Sequence, residues 1–164
     1  MRNPVRRSSS GFTLVEMMVT VVVMVVLLGV AVPSFRQMIA NQRVKTASFD
    51  LFSALSYARS EAIKRNLPVS VRAGESVDGA WSTGWRIMDG ANVLRSWGAI
   101  SSLSVSNTAT GNATVLTFGS DGRMTIAAAP KLQIQPSTSV TGVSSRCVQI
   151  SLSGRPTTQT GGCP

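Results

Sequence analysis

From Met17 to Phe35 the chain runs nineteen residues without a charge, and Glu16 stands immediately before that run. At 1.5 Å rise per residue a helix of this length spans roughly 28 Å, about the hydrocarbon thickness of a bilayer. The run therefore predicts one membrane crossing. A carboxylate at its edge demands a reason, because desolvating an unpaired charge costs about several kcal/mol.

Arg2, Arg6 and Arg7 precede the run and a Ser- and Thr-rich chain follows it, which places the N-terminus in the cytoplasm by the positive-inside bias; Arg36, Arg43 and Lys45 on the far side weigh against this. An ordinary secretory signal carries its small-residue cleavage site after the apolar core, whereas here Ser8, Ser9, Ser10 and Gly11 precede it. A cut between Gly11 and Phe12 would discard a short basic leader and keep the whole apolar helix. The new amine would then lie four residues from Glu16, within one helical turn of a carboxylate on its own chain or a neighbour's. The plainer alternative is a carboxylate snorkelling from the helix end.

The stretch "GFTLVEMM" resembles the class III signal of type IV pilins and type II secretion pseudopilins. That resemblance implies cleavage after Gly11 by a prepilin peptidase, N-methylation of Phe12, and an assembly role for Glu16, paired with the terminal amine of an adjacent subunit. The implied partners are the prepilin peptidase, other major and minor pilins or pseudopilins, and the inner membrane. Pro33 bends the helix near the end of the run, as proline does wherever it removes a helical hydrogen bond.

The length of 164 residues admits one domain and one extra segment. After Pro33 the pattern turns amphipathic: Leu51, Leu55, Ala58 and Ala62 form one apolar stripe, with Asp50, Arg59, Glu61, Lys64 and Arg65 in other directions. Asn66 and Pro68 stop the helix. Beyond them the period is two. "PVSVRA", "KLQIQ" and "CVQISL" alternate Val69 with Val71, Leu132 with Ile134, and Val148 with Ile150 and Leu152, as half-buried antiparallel strands do. Turns are expected at "MDGAN", "SDGR" and "SGRP", and "SSLSVSNTATGNAT" reads as an exposed loop or edge strand. The expected organisation is a leader over 1–11, a transmembrane or filament-core helix over 12–35, its amphipathic continuation over 36–66, and a periplasmic head over 67–164. The fold class is α+β, a type IV pilin-like long helix packed on an antiparallel sheet.

"ALSYARSEAIKRNLPVSV", "WSTGWRIMDG", "TFGSDGRM" and "CVQISLSGRP" together resemble the FimT/GspH family of minor pilins and H-type pseudopilins. Cys147 and Cys163 invite three readings: a bridge closing a loop of about fifteen residues, worth roughly 3 kcal/mol in an oxidising compartment, two free thiols, or half a metal site. With no histidine in the chain a zinc site is poorly supported. The family resemblance favours the disulfide.

No catalytic constellation is visible. Without histidine neither a Ser/His/Asp nor a Cys/His arrangement can form, and no phosphate-binding glycine loop or dinucleotide fingerprint occurs, so no cofactor is expected. Asp78, Asp89 and Asp121 adjoin glycines as turn residues. Sixteen Lys and Arg against seven acids make the chain basic, and thirteen against seven would remain after cleavage. Such a balance suits solubility as well as an anionic partner. Trp81, Trp85 and Trp97, with Arg86 and Arg95 nearby, suit either a sheet core or base stacking. Some FimT-like proteins bind DNA through a C-terminal Gly-Arg-x-Arg motif. Here Gly154 and Arg155 match, with Arg146 nearby in sequence, but Thr157 replaces the second arginine and removes about one phosphate contact's worth of binding.

These readings predict a minor pilin-like subunit of a type IV pilus, with adhesion or DNA uptake among its outputs. The alternatives are an H-type pseudopilin of type II secretion and, in another class, a membrane-anchored periplasmic enzyme.

Overall fold

The computed structural model describes residues 11–76, 79–108, 113–126 and 128–164; the leader before Gly11 and Asp78 lie outside the described residues. One helix, α1 (Leu14–Arg65), carries both apolar patterns. Thr13 caps it, its Oγ1 accepting the Glu16 backbone N–H at 3.2 Å, so Glu16 falls in the first turn, where the helix dipole favours an acid. At the other end Asn66 takes a left-handed conformation (φ +53°), and the Leu67 N–H reaches back to the Ala62 carbonyl at 3.3 Å. This is a Schellman closure with asparagine in place of glycine, and Pro68 follows it.

The chain divides into two compact units at Arg36 and Gln37. In the first, the large apolar side chains from Leu14 to Leu28 are each more than half exposed. In the second, Val44, Ala47, Leu51, Ala54, Leu55, Ala58 and Ala62 are buried, at spacings that keep one helical face inward. Leu51 and Leu55 in this stripe each contribute about 1.5–3 kcal/mol by burial.

Eight strands complete the head: β1 (Val69–Ala73), β2 (Trp85–Asp89), β3 (Asn92–Trp97), β4 (Leu103–Asn107), β5 (Val115–Phe118), β6 (Lys131–Pro136), β7 (Arg146–Ile150) and β8 (Pro156–Thr160). They form two antiparallel sheets, ordered β3-β2-β1-β5 and β4-β6-β7-β8. Their inward residues, Val69, Val71, Ile87, Leu116 and Phe118 from one sheet and Val105, Leu132, Ile134, Val148 and Ile150 from the other, join the helix stripe in a single core.

Three expectations need correction. "SSLSVSNTATGNAT" is an edge strand where it forms β4, but not an exposed one, because Leu103, Val105 and Asn107 point inward; its residues 109–112 lie outside the described residues. Leu152 does not extend the alternation of β7, which ends at Ile150; it sits in the following turn, 45% exposed. Glu61 does not face solvent. It is buried, with Arg65 Nε at 2.6 Å and Lys64 Nζ at 3.9 Å, and Arg65 Nη1 reaches Asp89, the last residue of β2, at 3.0 Å. The Arg65 hydrogen bond holds the Glu61 carboxyl below the usual carboxylate range, against the opposing effect of desolvation.

Candidate assembly site

Gly11, Phe12 and Thr13 precede the first helical residue and carry no regular structure, and Phe12 is 77% exposed. The bond between Gly11 and Phe12 is thus presented outside the helix. Gly11 has no positive φ, and a Cβ added to it would meet nothing within 4 Å. Neither backbone conformation nor packing among the described residues calls for glycine there. Among the described residues no cation pairs with Glu16, and its side chain stands on a helical turn whose neighbours are all exposed.

The head carries the C-terminal disulfide that the family resemblance favoured. Cys147 and Cys163 are bridged, with Cα atoms 5.0 Å apart, which excludes the free-thiol and metal readings. Cys147 lies on the face of β7 opposite Val148 and Ile150. The bridge holds the C-terminal segment there, where the Cys163 N–H donates to Gln133 Oε1 at 3.4 Å and Lys131 Nζ to the Pro164 carbonyl at 2.5 Å.

Arg146, Gly154 and Arg155 are not brought together. Arg146 opens β7 opposite Thr160, whereas Gly154 and Arg155 lie in the turn beyond Ile150, four residues or about 13 Å along the strand. Gly154 has a packing role. Its φ is +79°, and an added Cβ would fall 1.9 Å from the Gly122 carbonyl oxygen, which already accepts Arg59 Nε at 3.1 Å. Only glycine permits the two turns to touch. Arg155 is exposed, with its backbone fixed on both sides by Ser151, whose Oγ accepts the Arg155 N–H at 3.2 Å and whose N–H donates to the Arg155 carbonyl at 3.1 Å.

The tryptophans settle mostly on the core side. Trp81 (3% exposed) donates its indole N–H to the Ala113 carbonyl at 3.1 Å, and Trp85 (1% exposed) stacks on Trp97 with ring centroids 6.2 Å apart. Arg86 is buried, with Nη1 donating to the Gly74 carbonyl at 2.8 Å. Base stacking by Trp81 and Trp85 beside Arg86 is therefore overturned. Trp97 alone of the three is half-buried, with the Arg95 guanidinium 4.7 Å from its ring centre. Of the turn acids, Asp121 Oδ1 accepts the Arg123 N–H at 3.0 Å as expected, while Asp89 is drawn into the ion pair with Arg65. No cluster of metal-ligating side chains occurs among the described residues.

The profile of the family described as type II transport protein GspH matches residues 47–154, and that of the prokaryotic N-terminal methylation motif matches residues 6–32. The chain belongs to the GspH/FimT family of pilin-like proteins. Two crystal structures of the type IV minor pilin FimU from Pseudomonas aeruginosa share its fold. One is 24% identical with a TM-score of 0.61, covering 72% of this chain and 89% of that one. The other is 25% identical with a TM-score of 0.58, covering 70% and 91%. A search of curated proteins returned no match.

For a GspH/FimT protein the two halves of the site divide the labour. The methylation motif coincides with the exposed bond, the capped first turn and the uncovered apolar helix. The GspH match coincides with the packed half of α1 and the strands. Sequence reasoning missed the Thr13 cap, although Thr-x-x-Glu before an apolar run is a readable helix-start signal. It also missed the stacked pair of Trp85 and Trp97, which depends on the β2–β3 register and has no local signature.

Proposed function

We propose that this chain is a minor pilin-like subunit, cleaved after Gly11, methylated on Phe12, and held in the inner membrane as a single-pass protein with its head in the periplasm until it joins a type IV pilus. The observation that carries the reading is the N-terminal arrangement. A bond outside the helix, at a glycine the fold does not require, precedes a capped turn with Glu16 and an apolar run that the chain leaves uncovered. The helix exchanges lipid for a bundle of like helices, and Glu16 offsets the amine of a neighbour, which removes the cost of carrying an unpaired carboxylate there. The head is a structural, non-enzymatic part held by its disulfide.

The match of the GspH profile to the head favours a second reading, a minor pseudopilin of type II secretion. A clean deletion strain, scored for sheared surface pili and for secreted enzymes beside its complemented control, separates the two. Loss of pili with secretion intact supports the pilus reading; loss of secretion with pili intact replaces it with the pseudopilus. For the C-terminal turn, an exposed Arg155 supports at most weak, salt-dependent DNA contact, and a mobility-shift titration of wild type against Arg155→Ala tests it.

A further inference from the structure

Each sheet of the head has two outer strands, and three of these four edges are closed. β5 is met by Thr125, whose N–H and hydroxyl reach the Thr117 carbonyl at 3.1 and 3.2 Å. β4 lies against the single helical turn Trp81–Thr83. β3 carries Arg95, and its register with β2 breaks between Ile87 and Met88. Bulges and charges are usual means of keeping an edge from pairing. β8 has neither. Its residues pair with β7 in an unbroken register, none is charged, and proline occurs only at the first position.

The alternation of hydrogen bonds shows what that edge offers. The Gly161 N–H donates to the Ser145 carbonyl and the Ser151 N–H to the Arg155 carbonyl, in register with the β7–β8 ladder, so the odd-numbered residues of β8 are the ones bonded to β7. The even-numbered residues turn the other way. Thr158 and Thr160 each direct an N–H and a carbonyl outward, with no backbone partner among the described residues.

Charge gives the edge a direction. Arg155 stands exposed immediately before β8, beside the turn that holds Arg123 and the Gly122 carbonyl to which Arg59 donates. Among the described residues no acid pairs with any of these three arginines, and Asp121 in that turn accepts the Arg123 backbone N–H. At the Thr160 end Arg146 belongs to β7, and β8 itself separates it from the open edge. A strand lying antiparallel to β8 would finish at the cationic end and meet it with a carboxylate, whereas a parallel one would bring its amino-terminal side there. This chain's own C-terminus is engaged elsewhere, by the Cys147–Cys163 bridge and by Lys131. A second β8, paired antiparallel about Thr158, would set Gly161 opposite Arg155 and supply no carboxylate.

We propose that β8 docks an extended segment of another protein, added antiparallel to the sheet β4-β6-β7-β8 and bringing a carboxylate, C-terminal or side-chain, to Arg155. Main-chain bonds to Thr158 and Thr160 supply the affinity and Arg155 the polarity. The test uses the full chain in detergent and a fluorescein-labelled peptide, Ser-Thr-Val-Thr-Val-Thr-Ser with a free C-terminal carboxylate, titrated by anisotropy. Amidating that terminus should weaken binding about threefold, the worth of an exposed ion pair, and Arg155→Ala should abolish the difference. An amidated peptide ending in aspartate separates a side-chain from a terminal carboxylate, and either one supports the proposal. Of two peptides N-methylated on alternate amides, the one methylated on the set facing β8 should bind about tenfold less than the other. Thr158→Pro should weaken binding similarly with thermal unfolding near that of the wild type, because the N–H it removes points away from β7. Equal affinity of the two methylated peptides, no binding at about 1 mM peptide, or indifference to Arg155→Ala overturns the proposal. So does self-association of the chain that Thr158→Pro removes. Retardation of a duplex oligonucleotide that depends on Arg155, with the peptide failing to bind, assigns that end to nucleic acid and overturns it as well.

Discussion

The two parts of α1 are made of similar residues and meet opposite fates. Over Leu14–Leu28 apolar side chains point in every direction and the chain covers none of them. Over Val44–Ala62 the apolar residues keep to one stripe, and the strands bury that stripe completely. A helix apolar all round asks for an environment, lipid or other helices, while an amphipathic one asks only for its own sheet. The first part should therefore answer to assembly and the second to folding.

Four substitutions break or sharpen that contrast. Glu16→Ala should leave cleavage and head stability unchanged but reduce incorporation into sheared filaments by roughly tenfold or more, the effect of losing about 1.4 kcal/mol of pairing. Normal incorporation would mean that the two parts differ in packing alone. Leu55→Ala, in the buried stripe, should cost about 2–5 kcal/mol of unfolding free energy, read by denaturant titration of the full chain in detergent. Val25→Ala, in the exposed part, should cost the head nothing by the same titration. Replacing both Cys147 and Cys163 by serine should lower stability by roughly 3 kcal/mol, equal to the loss on reduction of the wild type. If reduction costs the wild type nothing, the C-terminal bridge is dispensable to the head.

Smaller effects come from the surface of the packed part. The folded-state pKa of Glu61 is depressed by Arg65, so the pairing contributes stability above the ordinary glutamate pKa of about 4.3 and loses it as pH falls through the lower folded value. Acid titration of wild type against Glu61→Gln should diverge only above that window and converge below it. A constant difference down to the lowest pH would show that packing of Glu61, not its charge, matters. Arg155→Ala should change stability by less than about 0.5 kcal/mol, as exposed substitutions usually do.

Much of this was readable along the chain. The long apolar helix needs only composition and order to be read, because a helix of that length satisfies its own backbone hydrogen bonds whatever surrounds it. The stripe of Leu51, Leu55, Ala58 and Ala62 and the alternation in β1, β6 and β7 follow from periods of 3.6 and two. By contrast, β2, β3, β5 and β8 carry weak or irregular alternation; β2 buries Trp85, Arg86 and Ile87 in succession, which no period announces.

What only the tertiary structure decided are the meetings of residues distant in sequence. Glu61 was read as lying off the apolar stripe of its helix, yet it is buried, and Arg65, itself held by Asp89 at the end of β2, makes that burial tolerable. Gly154 looked like part of a cation motif, yet it lets its turn rest on Gly122, while Arg146 is carried to the other end of the hairpin. Local order sets which segments are helix and which are strand because those states are signalled by the pattern of near neighbours. The use made of a single glutamate, glycine or tryptophan depends on which strand lands beside it, and that is fixed by register and close packing across the whole core.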